Sequence, residues 1–252
     1  MPIFDAHIHI GQFREQYASP QEVVDLLSSV GVERFAVSST TTCEGNYAKV
    51  IDEMLEMQDF AKNRMSAVLW LLPQAIYDGT IERMNNSGIN WQCLKIHPQL
   101  HPSFWKTAEA QDDIANIANE MHLPLLIHTG DCDGCYPEQY ENTISHNPNL
   151  QIIFAHGRPI EQTISLMKKY SNVWTDTAFM PLDNIVRLCR EGLSTRVLWG
   201  TDYPIIKYYY HNDDIKAYYL DLVCLLKHSI DQSDFDSITY QNFEQIFNTK
   251  TL

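Results

Sequence analysis

Apolar and polar positions alternate along the first stretch of the chain, Ile3-Phe4-Asp5-Ala6-His7-Ile8-His9-Ile10. A period of two predicts a β-strand. His7 and His9 then share a face, one strand step of roughly 6.5–7 Å apart, with Asp5 on the same face one step deeper. Beyond this stretch the pattern switches repeatedly between helical spacing and short apolar runs. Ser19-Pro20-Gln21-Glu22 carries an N-cap serine, a first-turn proline and a glutamate three residues after the cap. Val23, Val24, Leu26, Leu27 and Val30 follow at helical spacing, and Gly31 ends the helix. Further strands are expected over residues 34–38, 66–72, 93–97, 123–128, 151–156, 172–176 and 196–202. Helices are expected over residues 46–61, 80–84, 108–121, 160–169, 182–191, 213–228 and 234–247, with a weaker one over 137–146.

Eight strands therefore alternate with helices or loops of helical character. Several are nearly continuous apolar runs, as in a parallel sheet buried on both faces. Eight such units in 252 residues predict an α/β fold, a (β/α)₈ TIM barrel in a single domain. A doubly wound open sheet is the alternative. It is disfavoured because no glycine-rich turn follows the first strand. Hydrophobic content of 44% and charged content of 20% belong to an ordinary folded protein with a sizeable core.

The formal net charge of −14 disfavours nucleic acid and anionic membrane as partners, since both need a basic footprint. No apolar run reaches the length of a membrane span, and Met1-Pro2 leads straight into the first strand. A cytoplasmic location is the expectation. The six cysteines are scattered, which suits a reducing compartment. Cys132-Asp133-Gly134-Cys135 is one C-x-x-C pair, whereas a structural zinc site would want a second pair. A redox or metal role is the lesser reading, and a loop that happens to contain two thiols the leading one.

In a barrel, chemistry sits where strands end at the C-terminal face. His7 and His9 end the first strand, Lys95 and His97 the fourth, His128 the fifth, His156 the sixth and Asp202 the eighth. Five of the ten histidines thus fall at strand ends. Any one of them alone reads as a satisfied core histidine, and Asp202 alone as a turn residue before Tyr203-Pro204. Together they read as a site: two imidazoles converging from one short strand can hold a metal ion, each through a neutral nitrogen lone pair.

The ordered set Asp5-x-His7-x-His9, Lys95-Ile96-His97-Pro98, Ile127-His128-Thr129-Gly130, Ala155-His156-Gly157 and Gly200-Thr201-Asp202-Tyr203-Pro204 resembles the amidohydrolase superfamily of metal-dependent barrel hydrolases. Its wording is most similar to the amidohydrolase-related family that also contains aminocarboxymuconate semialdehyde decarboxylase. The resemblance implies that His7, His9 and Asp202 bind a first divalent metal, zinc above others. In one-metal relatives His128 completes that site and His156 positions water or substrate. In two-metal relatives a carboxylated Lys95 bridges both ions, and His128 and His156 hold the second. A free Lys95 would instead grip a substrate carboxylate. The implied chemistry is a metal-activated water with Asp202 as general base, the carbonyl being polarised by the metal with His156 or His97.

The expected activity is hydrolysis of a small-molecule amide, lactone or ester bond. The alternative is non-oxidative decarboxylation of an unsaturated or aromatic acid. A non-catalytic binding protein is disfavoured by the intact ligand set. Arg158, directly after His156-Gly157, can pair bidentately with a carboxylate. Trp70, Trp105, Tyr136, Phe179 and Tyr203 are candidate pocket walls, and the Cys132–Cys135 loop is placed to cover the site. Tyr208-Tyr209-Tyr210 reads as structural. The expected partner is a small-molecule substrate, with oligomeric state, a homo-oligomer included, left open.

Overall fold

The computed structural model describes residues 2–210 and 214–247. Among the described residues, nine strands form one sheet: β1 (Ile3–Phe13), β2 (Gln16–Ala18), β3 (Val32–Ser39), β4 (Met65–Trp70), β5 (Trp91–Ile96), β6 (Leu125–His128), β7 (Ile152–Ala155), β8 (Val173–Asp176) and β9 (Val197–Leu198), in the order β2-β1-β3-β4-β5-β6-β7-β8-β9. β2 pairs antiparallel with the end of β1, and every other neighbour is parallel. The sheet curls until its two ends meet. Ala6 N donates to Trp199 O at 2.7 Å, Asp202 N to His7 O at 2.7 Å and His9 N to Tyr203 O at 2.7 Å. These bonds bring the chain beyond β9 alongside β1 in parallel and close the barrel. The β2 hairpin strand is the one strand that the hydrophobic pattern did not disclose, because it is three residues long.

The capping box expected at Ser19 is present, with Pro20 opening the helix Pro20–Ser29. The helix expected over 234–247 is broken into Gln232–Asp236, a wider π-type turn Ser237–Gln241, and Asn242–Phe247. The interruption has a cause: Ile238 O accepts from Trp199 N at 2.9 Å, so this carbonyl serves the last barrel strand. The preceding helix is Ile215–Ser229, and its expected start at Asp213 lies outside the described residues. No helix among the described residues is long and apolar enough to cross a membrane.

The barrel interior is graded along its axis. Ala36, Val68, Cys93, Leu126, Ile153, Trp174 and Leu198 pack deep inside with Phe4 and Ala6, and Phe243, Ile246 and Phe247 join them. Two residues further along the strands, side chains on the same face are Ser38, Trp70, Lys95, His128 and Asp176. The deep layer is thus apolar and the mouth layer is polar and aromatic, which sets the site at the C-terminal ends of the strands.

Asp5 departs from the expected alternation. The pairing of β1 with β3 shifts register between Asp5 and Ile8, so Asp5 and His7 do not share a face. Asp5 is instead fully buried at the seam, where it accepts from Thr201 Oγ1 at 2.6 Å, Thr201 N at 3.2 Å, Tyr219 Oη at 2.9 Å and His7 N at 3.0 Å. Burial drives its carboxyl up to about 6 despite these four donors.

Candidate active site

A cavity of about 470 Å³ opens at the C-terminal ends of the strands. It is lined by His7, His9, Lys95, His97, His128, His156, Arg158 and Asp202, so every site residue expected from the sequence converges on one space. Phe13, Thr40, Trp70, Gln99, Phe179, Ile205 and Tyr209 complete the wall. Of the expected aromatic walls, Trp70 and Phe179 take part. Trp105 does not, being wholly buried in the apolar core, and Tyr136 and Tyr203 are not lining residues. The Cys132–Cys135 loop is likewise not among them. Tyr209, from a run read as structural, stands in the wall, and Tyr208 stacks on Phe13 with ring centroids 6.0 Å apart. The side chain of Tyr210 lies outside the described residues.

Three donor atoms meet at the centre. Ligating atoms of His7, His9 and Asp202 all lie within 4.8 Å of one another. His9 Nε2 is 3.0 Å and His7 Nε2 3.8 Å from Asp202 Oδ1. The ring orientations follow from the partners of the opposite nitrogens. His7 Nδ1 lies 2.8 Å from Asp176 Oδ2, and His9 Nδ1 lies 3.0 Å from Ser38 Oγ and 3.3 Å from Ser38 O. With Nδ1 as the donor in each ring, both Nε2 lone pairs face the cavity. Burial, followed by the charge of Lys95, lowers the His9 imidazole to about 3, which keeps its lone pair free.

Asp202 is ionised. Burial pushes its carboxyl up, but His7 and the close approach of His9 pull it further down, well below the usual carboxylate range. Its Oδ1 is buried and has no hydrogen-bond partner. Two nitrogen lone pairs and a carboxylate oxygen pointing at one spot repel each other unless a cation stands between them. The donor set therefore fits a divalent metal that takes nitrogen and oxygen ligands. Lys95 Nζ meets part of this demand, 2.9 Å from His7 Nε2 and 3.2 Å from His9 Nε2. Burial lowers its ammonium to about 8, against the pull of Asp202 and Asp176.

His128 and His156 stand beside this centre. His156 Nδ1 contacts Ala178 O at 3.0 Å, and His156 Nε2 lies 3.1 Å from His128 Nδ1. His128 stacks on His97 at 3.7 Å between centroids, and His97 on Trp70 at 5.3 Å. His97 Nδ1 and Arg158 Nε are buried without partners. His156 and Asp202 both have left-handed backbones, with φ of 69° and 58°. Left-handed non-glycine residues are uncommon and gather at functional sites; here His156 directly follows β7, and Asp202 lies four residues past β9. Gly157 follows at φ 55°, where a Cβ would come within 2.6 Å of Thr175 Oγ1.

Asp176, which the sequence reading did not single out, supports two of the site histidines. It ends β8, is fully buried, and touches two site histidines. One oxygen receives His7 Nδ1, and the other accepts His156 N at 2.9 Å and Ala178 N at 3.0 Å. The signal was available as an acid closing the seventh barrel strand. Asp176→Asn is expected to weaken metal affinity about 10–100-fold, the usual effect of losing an outer partner of a ligating histidine. Competitive chelator titration measures it, and unchanged affinity would show that His7 needs no such orientation.

Comparison with known proteins identifies the family and the fold. The family model described as Amidohydrolase matches residues 4–248, and the chain belongs to that family of enzymes. A search of curated proteins finds no match. Among solved structures, a Pseudomonas putida protein assigned as a 2-pyrone-4,6-dicarboxylic acid hydrolase superposes with a TM-score of 0.70 at 13% identity, covering 99% of this chain and 98% of that one. A zinc-bound amidohydrolase from Burkholderia multivorans gives a TM-score of 0.68 at 10% identity, covering 98% and 99%. The manganese-bound 5-carboxyvanillate decarboxylase of Novosphingobium aromaticivorans gives a TM-score of 0.66 at 12% identity, covering 98% and 95%. At such identities the likeness speaks for the barrel fold.

Proposed function

We propose that this enzyme is a metal-dependent hydrolase of an amide, lactone or ester bond in a small, carboxylate-bearing molecule. The observation that carries the reading is the meeting of His7, His9 and the unpartnered Asp202 Oδ1 at one point of the cavity. A divalent ion held there, zinc first and manganese as another fit, would supply Lewis acidity toward water and a substrate carbonyl. Asp202 then takes a proton from the attacking water on its carboxylate and returns it to the leaving group. His97, with a partnerless Nδ1, orients the substrate carbonyl from the side. His156 is held by Ala178 O and His128 and fixes the opposite wall.

Lys95 decides how many ions the site takes. Carboxylated, it would bridge a second ion held by His128 and His156. As an amine it stays beside the His7/His9 pair, as in the hydrogen bonds above. Metal analysis of purified protein separates the two by stoichiometry.

Arg158 anchors the substrate carboxylate in this reading, because its buried Nε has no protein acceptor. Arg158→Met is expected to raise KM about 10–100-fold for a carboxylate substrate, the value of a hydrogen bond to a charged group. It should leave KM for an uncharged ester nearly unchanged. A flat aromatic stack of Trp70, His97 and His128 favours a second reading, decarboxylation of a planar acid. Screening cyclic amides, lactones and aromatic acids, with CO₂ detection, discriminates them. Chelation is expected to abolish turnover and divalent metal to restore it. Full activity in metal-free protein would overturn both readings.

A further inference from the structure

The loop after β6 holds Cys132 and Cys135 in a tight turn that the proposed hydrolytic chemistry does not use. Cys135 N donates to Cys132 O at 2.9 Å, closing a four-residue turn, and Gly134 has φ 83°. A hydrogen-bonded turn with glycine left-handed at its third position is type II. Only glycine fits there: a Cβ on Gly134 would come within 3.1 Å of Pro102 Cα and 3.2 Å of Pro102 O.

The turn is pinned from outside. Asp133 is bonded to Lys106 Nζ at 2.9 Å and to Gln139 Nε2 at 3.1 Å, and Tyr140 Oη donates to Gly134 O at 2.9 Å. Gly130 N donates to Cys135 O at 3.3 Å, which ties the turn to the segment leaving His128. The ends of a β-turn lie less than about 7 Å apart between Cα atoms. Disulfides span roughly 4.4–6.8 Å. The turn therefore sets the two cysteines within the span of a disulfide, and both are free thiols.

The geometry points to Cys132 and Cys135 as a dithiol/disulfide site that exchanges with low-molecular-weight disulfides. Cys132 is half-buried and Cys135 is wholly buried, so Cys132 is the point of entry. Its thiolate attacks one sulfur of the small disulfide, forming a mixed disulfide and expelling one thiolate. The Cys135 thiol then loses its proton and attacks the Cys132 sulfur, closing the protein disulfide and expelling the second thiolate. Two protein thiols are oxidised, one small disulfide is reduced, and the two protons released go to the departing thiolates. Burial, with the neighbouring Cys132 second, holds the Cys135 thiol above its usual range, so exchange does not begin there.

The test uses the full chain with oxidised glutathione as probe, followed by alkylation and peptide mapping. The expected result is a peptide containing both cysteines that has lost two hydrogen atoms, carries no glutathione and resists alkylation until reduced. Cys135→Ser is expected to accumulate glutathione on Cys132, whereas Cys132→Ser leaves Cys135 alkylatable after denaturation. A wild-type peptide in which both cysteines alkylate, or in which glutathione stays on Cys132, overturns the proposal. The wild-type map decides the matter even if a variant folds poorly. The outcome is independent of the hydrolase reading, because no substrate or metal enters the readout.

Discussion

Asp202→Asn is expected to lower kcat by about 10²–10⁴-fold, the range lost with a positioned acid–base group, while the protein stays folded. The asparagine keeps the shape and one oxygen able to face a cation. It loses the negative charge and cannot carry the proton from water to leaving group. Metal content should therefore fall less than turnover. Measuring both on one preparation separates the roles: loss of turnover with metal retained identifies a proton carrier, and parallel loss identifies a ligand alone. A variant within tenfold of the parent rate would remove Asp202 from the mechanism.

Asp5→Ala is expected to cost about 3 kcal/mol, the scale of orphaning several buried donors at once, and to lower Tm by about 6–12 °C for a chain of this size. The carboxylate is the common acceptor for Thr201 and Tyr219, and it joins the first strand to the segment that carries Asp202. Without it, Thr201 N, Thr201 Oγ1 and Tyr219 Oη face a void inside the seam. Thermal denaturation with and without added zinc reads the effect. A smaller drop in the presence of metal would show the ion bridging the same seam. A Tm within 2 °C of the parent, less than about 1 kcal/mol on this scale, would mean that water or rotated hydroxyls replace the acceptor.

Much of this architecture was legible in the chain. Several barrel strands are short apolar runs bounded by proline, glycine or a polar cluster, and burial on both faces demands such runs. The helix at Ser19-Pro20 carries its start signals locally. The π-type turn at Ser237–Gln241 was not legible, because it depends on Trp199, which is remote in sequence, taking the Ile238 carbonyl. The side of Asp5 was misread because alternation assumes an unbroken register, and the shift between Asp5 and Ile8 exists only in the pairing with β3.

The site shows the same division. His7, His9, His97, His128, His156 and Asp202 share a strand-end address that can be counted along the chain. Asp176 shares the address but not the residue type that drew notice, and its value comes from contact with His7. Trp105 was overestimated because a tryptophan's sequence neighbourhood does not tell a pocket wall from a core plug. Tyr209 was passed over for the converse reason.

The seam between the ends of the sheet has a consequence for how the molecule is made. Asp5 and Thr201 stand 196 positions apart, yet their bond closes the cylinder and brings Asp202 to the histidines. During synthesis β1 can pair with β3 early, but its other neighbour is missing until residue 201 has been made. Contacts of such long range are slow to form. Chains ending before Thr201 are thus expected to lack the proposed ion site, which needs Asp202 beside His7 and His9.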